Sequence, residues 1–360
     1  MKQRNNLVEL FRFIFSLLVV GYHVQFTFGG GLNFFASGSL AVEFFFLISG
    51  YFMAKSVEMI ATQERYGVCK NSLKFMGGKI KGILPVHLMA IAAMIVVVII
   101  FDFANADRVL FKGLPSIFLA QEVVVWSEAY ADALIIPEWY LSAMLICMLI
   151  MIPIALLLRK KLKGVFIPAV LLGVLGVIAV VLGFCMNWKI TTTFVYDLRA
   201  WGEMCVGMIA YWLSVAIGKR EISKAGCIAL KSAEIICYCT PVIFGFVPMS
   251  SSLYPVGMVI AVICTFIALS ITFSGKGNQI KNVAINRLFG FLGGLSLAIY
   301  LFHPVVLAVL NYAYADCTEL LKYLIVFGTT LFFAAIYAGI RKLVAIKKRR
   351  NILNKQKKFA

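Results

Sequence analysis

Arg12 and His23, with ten residues between them, lie inside an apolar run, 7–27, that reads as a membrane-spanning helix. Ionisable side chains cost about 2.5 to 3.5 kcal/mol each at a helix centre, so a spanning helix that carries them is usually built around a task. At about 1.5 Å per residue the two lie roughly 16 Å apart along the axis, which suits the two ends of one extended ligand. Glu43, near the start of the next apolar run, returns to the depth of His23. A carboxylate beside an imidazole is an acid-base arrangement. The carboxylate orients the ring and stabilises its protonated form, while the other ring nitrogen takes a proton from a hydroxyl. Arg199 and Glu203, four residues apart, can pair along one helix face. His303 precedes Pro304, and a proline inside a helix leaves a carbonyl for other groups or a ligand. Each feature also has a plainer reading: a packing histidine bonded across helices, a structural carboxylate, an interfacial ion pair. His87, close to Pro85, reads as an interfacial residue with no chemistry assigned.

The elements that must hold these groups are apolar. The 360 residues are 62% hydrophobic and 14% charged, with a mean hydropathy of +0.94, far from the soluble composition in which about a quarter of residues are charged. An all-α integral membrane protein is expected. Ten runs can each span a hydrocarbon core of about 30 Å: 7–27, 38–54, 83–103, 139–158, 165–186, 200–217, 229–247, 254–273, 289–312 and 322–345. The shorter Leu114–Trp126, with Pro115, Gln121 and Glu122, reads as an interfacial or re-entrant helix. Met1–Asn6 leads straight into the first run without a small-residue cleavage site, so the first helix is expected to be retained.

Charge sets the orientation. With the N-terminus inside, one set of loops holds Lys2 and Arg4, Lys55 to Lys81, Arg159 to Lys163, Lys219 to Lys224, Lys276 to Arg287, and the tail from Arg341 to Lys358. The other set holds Arg108, Lys112, Lys189, Arg199 and Lys322. That asymmetry predicts both termini in the cytoplasm, with a membrane domain over 1–345 and a basic tail over 346–360. The net charge of +18 is therefore assigned to topology and anionic lipid headgroups rather than to nucleic acid. The nine cysteines show no metal-ligand spacing and read as small buried hydrophobes, so no metal site is expected.

Five ordered blocks carry a resemblance. They are Arg12 with His23, Val42 to Tyr51 (an acidic residue, paired aromatics, Ser-Gly), Trp139-Tyr140-Leu141-Ser142, Arg199 with Glu203 and Gly207, and Ser296 through Tyr300-Leu301-Phe302-His303-Pro304. Together they resemble the acyltransferase-3 family of bacterial membrane acyltransferases in its stand-alone form. Two departures stand out: Lys79, Lys81 and Gly82 replace the arginines that often precede Pro85, and Glu138 stands where a His often precedes the Trp-Tyr-Leu element.

The resemblance implies a multi-pass protein of the bacterial cytoplasmic membrane that transfers an acyl group, other than an aminoacyl group, to an oxygen. The donor implied is acyl-CoA, commonly acetyl-CoA, as a cosubstrate with no permanently bound cofactor, and the acceptor is a hydroxyl of a cell-surface carbohydrate or glycolipid. In that frame Arg12, Lys79 and Lys81 would hold donor phosphates, while His23 with Glu43 would activate the acceptor hydroxyl. Tyr140 or Ser142 would stabilise the oxyanion. Arg199, Glu203, Tyr300 and His303 would serve the acceptor side. Two other classes are weighed against it: a transporter or flippase of lipid-linked saccharides, for which an inverted repeat is expected, and a non-catalytic subunit that binds acyl-CoA without turnover.

Overall fold

A computed structural model describes residues 5–29, 33–63, 67–122, 134–162, 164–185, 192–313 and 317–359. All of its regular structure is helical: α1 Asn6–Phe28, α2 Ala41–Ala61, α3 Val68–Phe101, α4 Ala106–Lys112, α5 Leu114–Ile117, α6 Trp139–Lys161, α7 Phe166–Cys185, α8 Thr192–Gly218, α9 Lys224–Gly245, α10 Tyr254–Phe273, α11 Val283–Ala313 and α12 Glu319–Phe359. Apolar side chains all along a segment leave the backbone to satisfy its own hydrogen bonds, and only a helix does that within one segment. Among the described residues nine helices are long and apolar enough to cross a membrane. The remaining expected run, 165–186, corresponds to α7, whose apolar stretch Phe166–Ala179 is shorter. The chain is a multi-pass membrane protein.

Bounds differ from expectation where helices outrun the hydrocarbon. α3 begins at Val68, fifteen residues before the run at 83, and continues through the basic stretch Lys70 to Lys81 although Gly77 and Gly78 within it have poor helix propensity. α12 continues through the basic tail, so the 345/346 boundary falls inside one helix. Leu114–Trp126 is not a single helix. Only Leu114–Ile117 is helical, turns follow to Glu122, and 123–126 lies outside the described residues.

Burial separates centre from periphery. The apolar stretches of α2 and α11 are mostly buried and that of α1 follows, whereas little of the apolar stretches of α9 and α12 is buried. The helices that carry Arg12, His23, Glu43, Tyr300 and His303 are therefore the central ones. Two close crossings lock them. α1 and α11 meet where Glu9 packs onto Gly293, and α2 and α8 meet where a Cβ on Gly50 would strike the Met204 carbonyl and one on Gly207 the Leu47 carbonyl. Small residues let helix backbones approach in lipid, where packing replaces the hydrophobic driving force. Backbone atoms cannot swing aside as a side-chain end can. Gly207→Ala is thus expected to cost about 1–3 kcal/mol, as overpacking does, read as a lower unfolding midpoint in detergent. An unchanged midpoint would mean that the α2–α8 crossing is looser than described.

Candidate functional site

One part of the site is a cavity of about 260 Å3 with Arg12, Lys79, Tyr140, Ser296 and Tyr300 among its walls. Five helices build it, and each brings one face. On α3, Gly78, Lys79 and Gly82 face the cavity while Lys81 is exposed and does not line it. Residues two apart on a helix point to nearly opposite sides, so the expected pairing of Lys79 with Lys81 at one ligand is not formed. Arg12 is held by Glu9, Nη1 to Oε2 at 3.2 Å, which aims the guanidinium and leaves its other nitrogens available.

The tyrosines are fixed by backbone carbonyls. Tyr140 donates to the Phe45 carbonyl at 3.2 Å, and Tyr300 donates to the Pro137 carbonyl. Ser142 lies elsewhere. Buried two residues on from Tyr140, it accepts the Glu122 backbone N–H at 3.1 Å, and it does not line the cavity. The expectation that it shares the oxyanion role with Tyr140 is not supported by its position.

From the cavity a line of rings runs to His23. Ring centroids are 5.8 Å apart for Tyr140 and Tyr300, 5.9 Å for Tyr300 and His303, and 4.9 Å for His303 and His23. His23 Nδ1 sits 2.8 Å from the Val19 carbonyl. A carbonyl only accepts, so Nδ1 carries the proton and Nε2 keeps its lone pair. His303 repeats the device: Nδ1 faces the Ile299 carbonyl at 3.3 Å, and its buried Nε2 has no hydrogen-bond partner among the described residues. Two imidazoles in van der Waals reach thus each keep one basic nitrogen.

Glu43 does not join them. Its carboxylate is taken by Arg199, which also bonds Glu203 Oε1 at 3.2 Å. The expected His23–Glu43 pair is replaced by the carboxylate–guanidinium–carboxylate bridge between α2 and α8, and the Val19 carbonyl orients the imidazole instead. Matching depth set Glu43 level with His23, but the side of α2 that carries it faces α8. The bridge is buried, with Glu43 inaccessible, Glu203 nearly so and Arg199 at 16% exposure, and the Trp139 ring lies 5.8 Å from the guanidinium. Arg199 and Glu203 accordingly form part of a three-group bridge rather than an interfacial i,i+4 pair.

A second polar cluster was not anticipated. His87, expected at the interface, is fully buried and pairs with Glu138, Nδ1 to Oε1 at 2.7 Å. Its Nε2 lies 3.1 Å from the Ile117 carbonyl, and Gln121 donates to the other Glu138 oxygen at 3.2 Å. Nε2 must therefore be protonated, and a further proton is shared between Nδ1 and the carboxylate. The cluster ties α3 to the 117–122 segment and to the turn that presents the Pro137 carbonyl to Tyr300. Glu122 sits beside it, and burial first, then the Asp197 carboxylate, push its carboxyl up to about 8. The signal for His87 lay in the sequence: the acid at Glu138 and the lone basic ring at His87 each lacked a partner.

A protein-family model described as an acyltransferase domain matches residues 5–339, nearly the whole chain. Comparison with curated proteins and with solved structures returned no match.

Proposed function

Because the chain belongs to the acyltransferase-3 family and is a membrane acyltransferase, we propose that it moves an acyl group, by default acetyl, from cytoplasmic acyl-CoA to a hydroxyl of a cell-surface carbohydrate or glycolipid. The setting proposed is the bacterial cytoplasmic membrane with both termini inside. One observation carries the reading: the cavity between Arg12 and Tyr300 leads through a continuous line of rings to His23.

The chemistry follows from that line. Arg12 and Lys79 supply positive charge at the inner end, where an anionic donor enters. The acyl arm extends along α1 over the roughly 16 Å of helix rise between Arg12 and His23. His23 Nε2 removes the proton from the acceptor hydroxyl as its oxygen attacks the thioester carbonyl. Val19, through its carbonyl, holds the tautomer that makes this possible and stabilises the imidazolium that forms. The tetrahedral intermediate collapses with loss of the CoA thiolate, which takes the proton back from His23. Tyr140 is the candidate donor to the oxyanion, once its hydroxyl turns from the Phe45 carbonyl. The Arg199 bridge sits at the acceptor end, as does His303.

Purified protein supplied with acetyl-CoA and a polysaccharide or glycolipid acceptor is expected to release CoA and to yield an O-acetylated product detected by mass spectrometry. A transporter would give neither, and a binding subunit would bind donor without turnover. Arg12→Ala is expected to raise the KM for acetyl-CoA about tenfold or more, since a hydrogen bond to a charged group is worth about 1.5–3 kcal/mol. Unchanged donor dependence would remove Arg12 from the donor site.

A further inference from the structure

His87 and Glu138 take no part in the steps above, yet the residues beside Glu138 do. Pro137 offers its carbonyl to the Tyr300 hydroxyl, the Trp139 ring lies 5.8 Å from the Arg199 guanidinium, and Tyr140 lines the cavity together with Tyr300. The geometry points to His87 and Glu138 as positioning residues of the acyl transfer, which set both tyrosines through the turn Ile136–Glu138 and the first turn of α6. The inference rests on the acyl-transfer reading above and gives the segment 113–122 a task in it.

That segment is stitched to the stretch that carries the tyrosine and the turn. Leu134 N–H donates to Ser116 Oγ at 3.1 Å, Gln121 Nε2 to Glu138 Oε2 at 3.2 Å, and Glu122 N–H to Ser142 Oγ at 3.1 Å. A further bond runs through His87, whose Nε2–H meets the Ile117 carbonyl at 3.1 Å while Nδ1 holds Glu138 at 2.7 Å. At Gly113 the backbone lies so close to Leu134 that a Cβ would strike its side chain. Buried Leu119 is held at a φ of 53°, a left-handed conformation that costs a residue with a side chain of order 1–3 kcal/mol and persists only where its surroundings over-determine it. The segment is a rigid buttress for 134–142.

A buried polar pair is not needed merely to join α3 to α6, since well-packed apolar side chains do that as well or better. What the pair supplies is direction. Both ring nitrogens of His87 and both carboxylate oxygens of Glu138 are engaged, and a buried network satisfied in this way fixes one arrangement where an apolar contact tolerates several. The arrangement matters because the Tyr140 and Tyr300 rings, 5.8 Å apart, begin the line that reaches His303 and His23. A displacement of about 1 Å, even from a change remote from the chemistry, can cost about 10²-fold in rate.

Two substitutions at one position separate direction from charge. Glu138→Gln removes the charge but keeps the length and both bonds: its carbonyl accepts from Gln121, and its amide donates to a neutral His87 at Nδ1. Glu138→Asp keeps the charge and shortens the side chain by one methylene. Each purified variant is assayed with acetyl-CoA and the acceptor that the parent O-acetylates, and kcat is corrected for the folded fraction. The expected kcat is within about threefold of the parent for Glu138→Gln and about tenfold lower for Glu138→Asp, with the KM for acetyl-CoA within about twofold in both, as befits a misaimed site rather than a lost donor contact. Tyr300→Phe lacks the hydroxyl that Pro137 holds, so on that background Glu138→Asp should cost no more than about threefold, the non-additivity of residues that act through one another. Parental kcat in Glu138→Asp, a loss in Glu138→Gln as large as that in Glu138→Asp, or additive losses with Tyr300→Phe overturns the inference. A parent without turnover overturns the donor and acceptor reading instead. The same pair of substitutions read in unfolding midpoints then decides whether Glu138 holds Tyr300, coupled shifts supporting it and additive shifts overturning it.

Discussion

His23→Ala should lower acyl transfer by about 10²- to 10⁴-fold, the usual contribution of a positioned general base, while donor binding stays within twofold of wild type. The asymmetry arises because His23 lies at the far end of the ring line from Arg12 and Lys79 and does not line the cavity they share. Loss of the ring removes one bond, to the Val19 carbonyl of its own helix. α1 is otherwise held by its packing on α11 and by the Asn5 cap, so the variant should extract and purify like the parent. His23→Gln is the informative companion. Its amide can bond Val19 but cannot take a proton, so it should be as inactive as alanine. If either variant transfers acyl groups at the parental rate, His23 is not the base, and His303, with its open Nε2, is next to be tested.

What could be read before the structure was depth along each helix, and what could not was the direction a side chain faces. Arg12, Lys79, Tyr140 and Tyr300 come from four separate stretches of the sequence and line one cavity. Order and depth put Arg12 and Lys79 together at the donor, but they set Tyr140 at the oxyanion and Tyr300 on the acceptor side, whereas all four share that cavity. Lys81 failed because two helical steps carry it to the other face, and Ser142 failed in the same way two steps from Tyr140. Glu43 shows the limit most clearly. Its level beside His23 followed from hydropathy, but choosing between α1 and α8 as its neighbour needs the packing of three helices at once. That packing depends on Gly50 and Gly207 bringing α2 and α8 into backbone contact. His87 was missed for a related reason. Hydropathy weighs each residue alone, so a buried acid and a buried base 51 positions apart register as two expensive residues instead of one pair. Helix existence was legible almost throughout because a spanning run has no alternative to helix in lipid, while ends were not, since nothing in the apolar pattern marks where a basic helix stops beyond the membrane.

Arg199→Met is the second large effect expected, and it falls on the fold before it reaches the chemistry. The substitution leaves Glu43 and Glu203 facing one another in a buried site without the cation that both contact. Breaking a buried ion pair by removing one partner costs about 3–5 kcal/mol because the remaining charge keeps its desolvation penalty. Here two carboxylates are stranded, so the upper part of that range applies unless one of them takes up a proton. Thermal unfolding in detergent should show a large drop in midpoint. Arg199→Lys should recover only part of it, since one ammonium lacks the planar fork that reaches both acids. Adding Glu43→Gln to Arg199→Met should recover more than Arg199→Lys does, because the double variant removes a charge rather than moving one. If Arg199→Met is as stable as the parent with both glutamates present, the bridge is not buried as described. The double variant also separates two roles. When it is folded but fails to use the carbohydrate acceptor, Arg199 binds that acceptor in addition to joining α2 to α8; when it is folded and active, the bridge serves only to hold α2 against α8, and the acceptor is recognised by groups nearer His23 and His303.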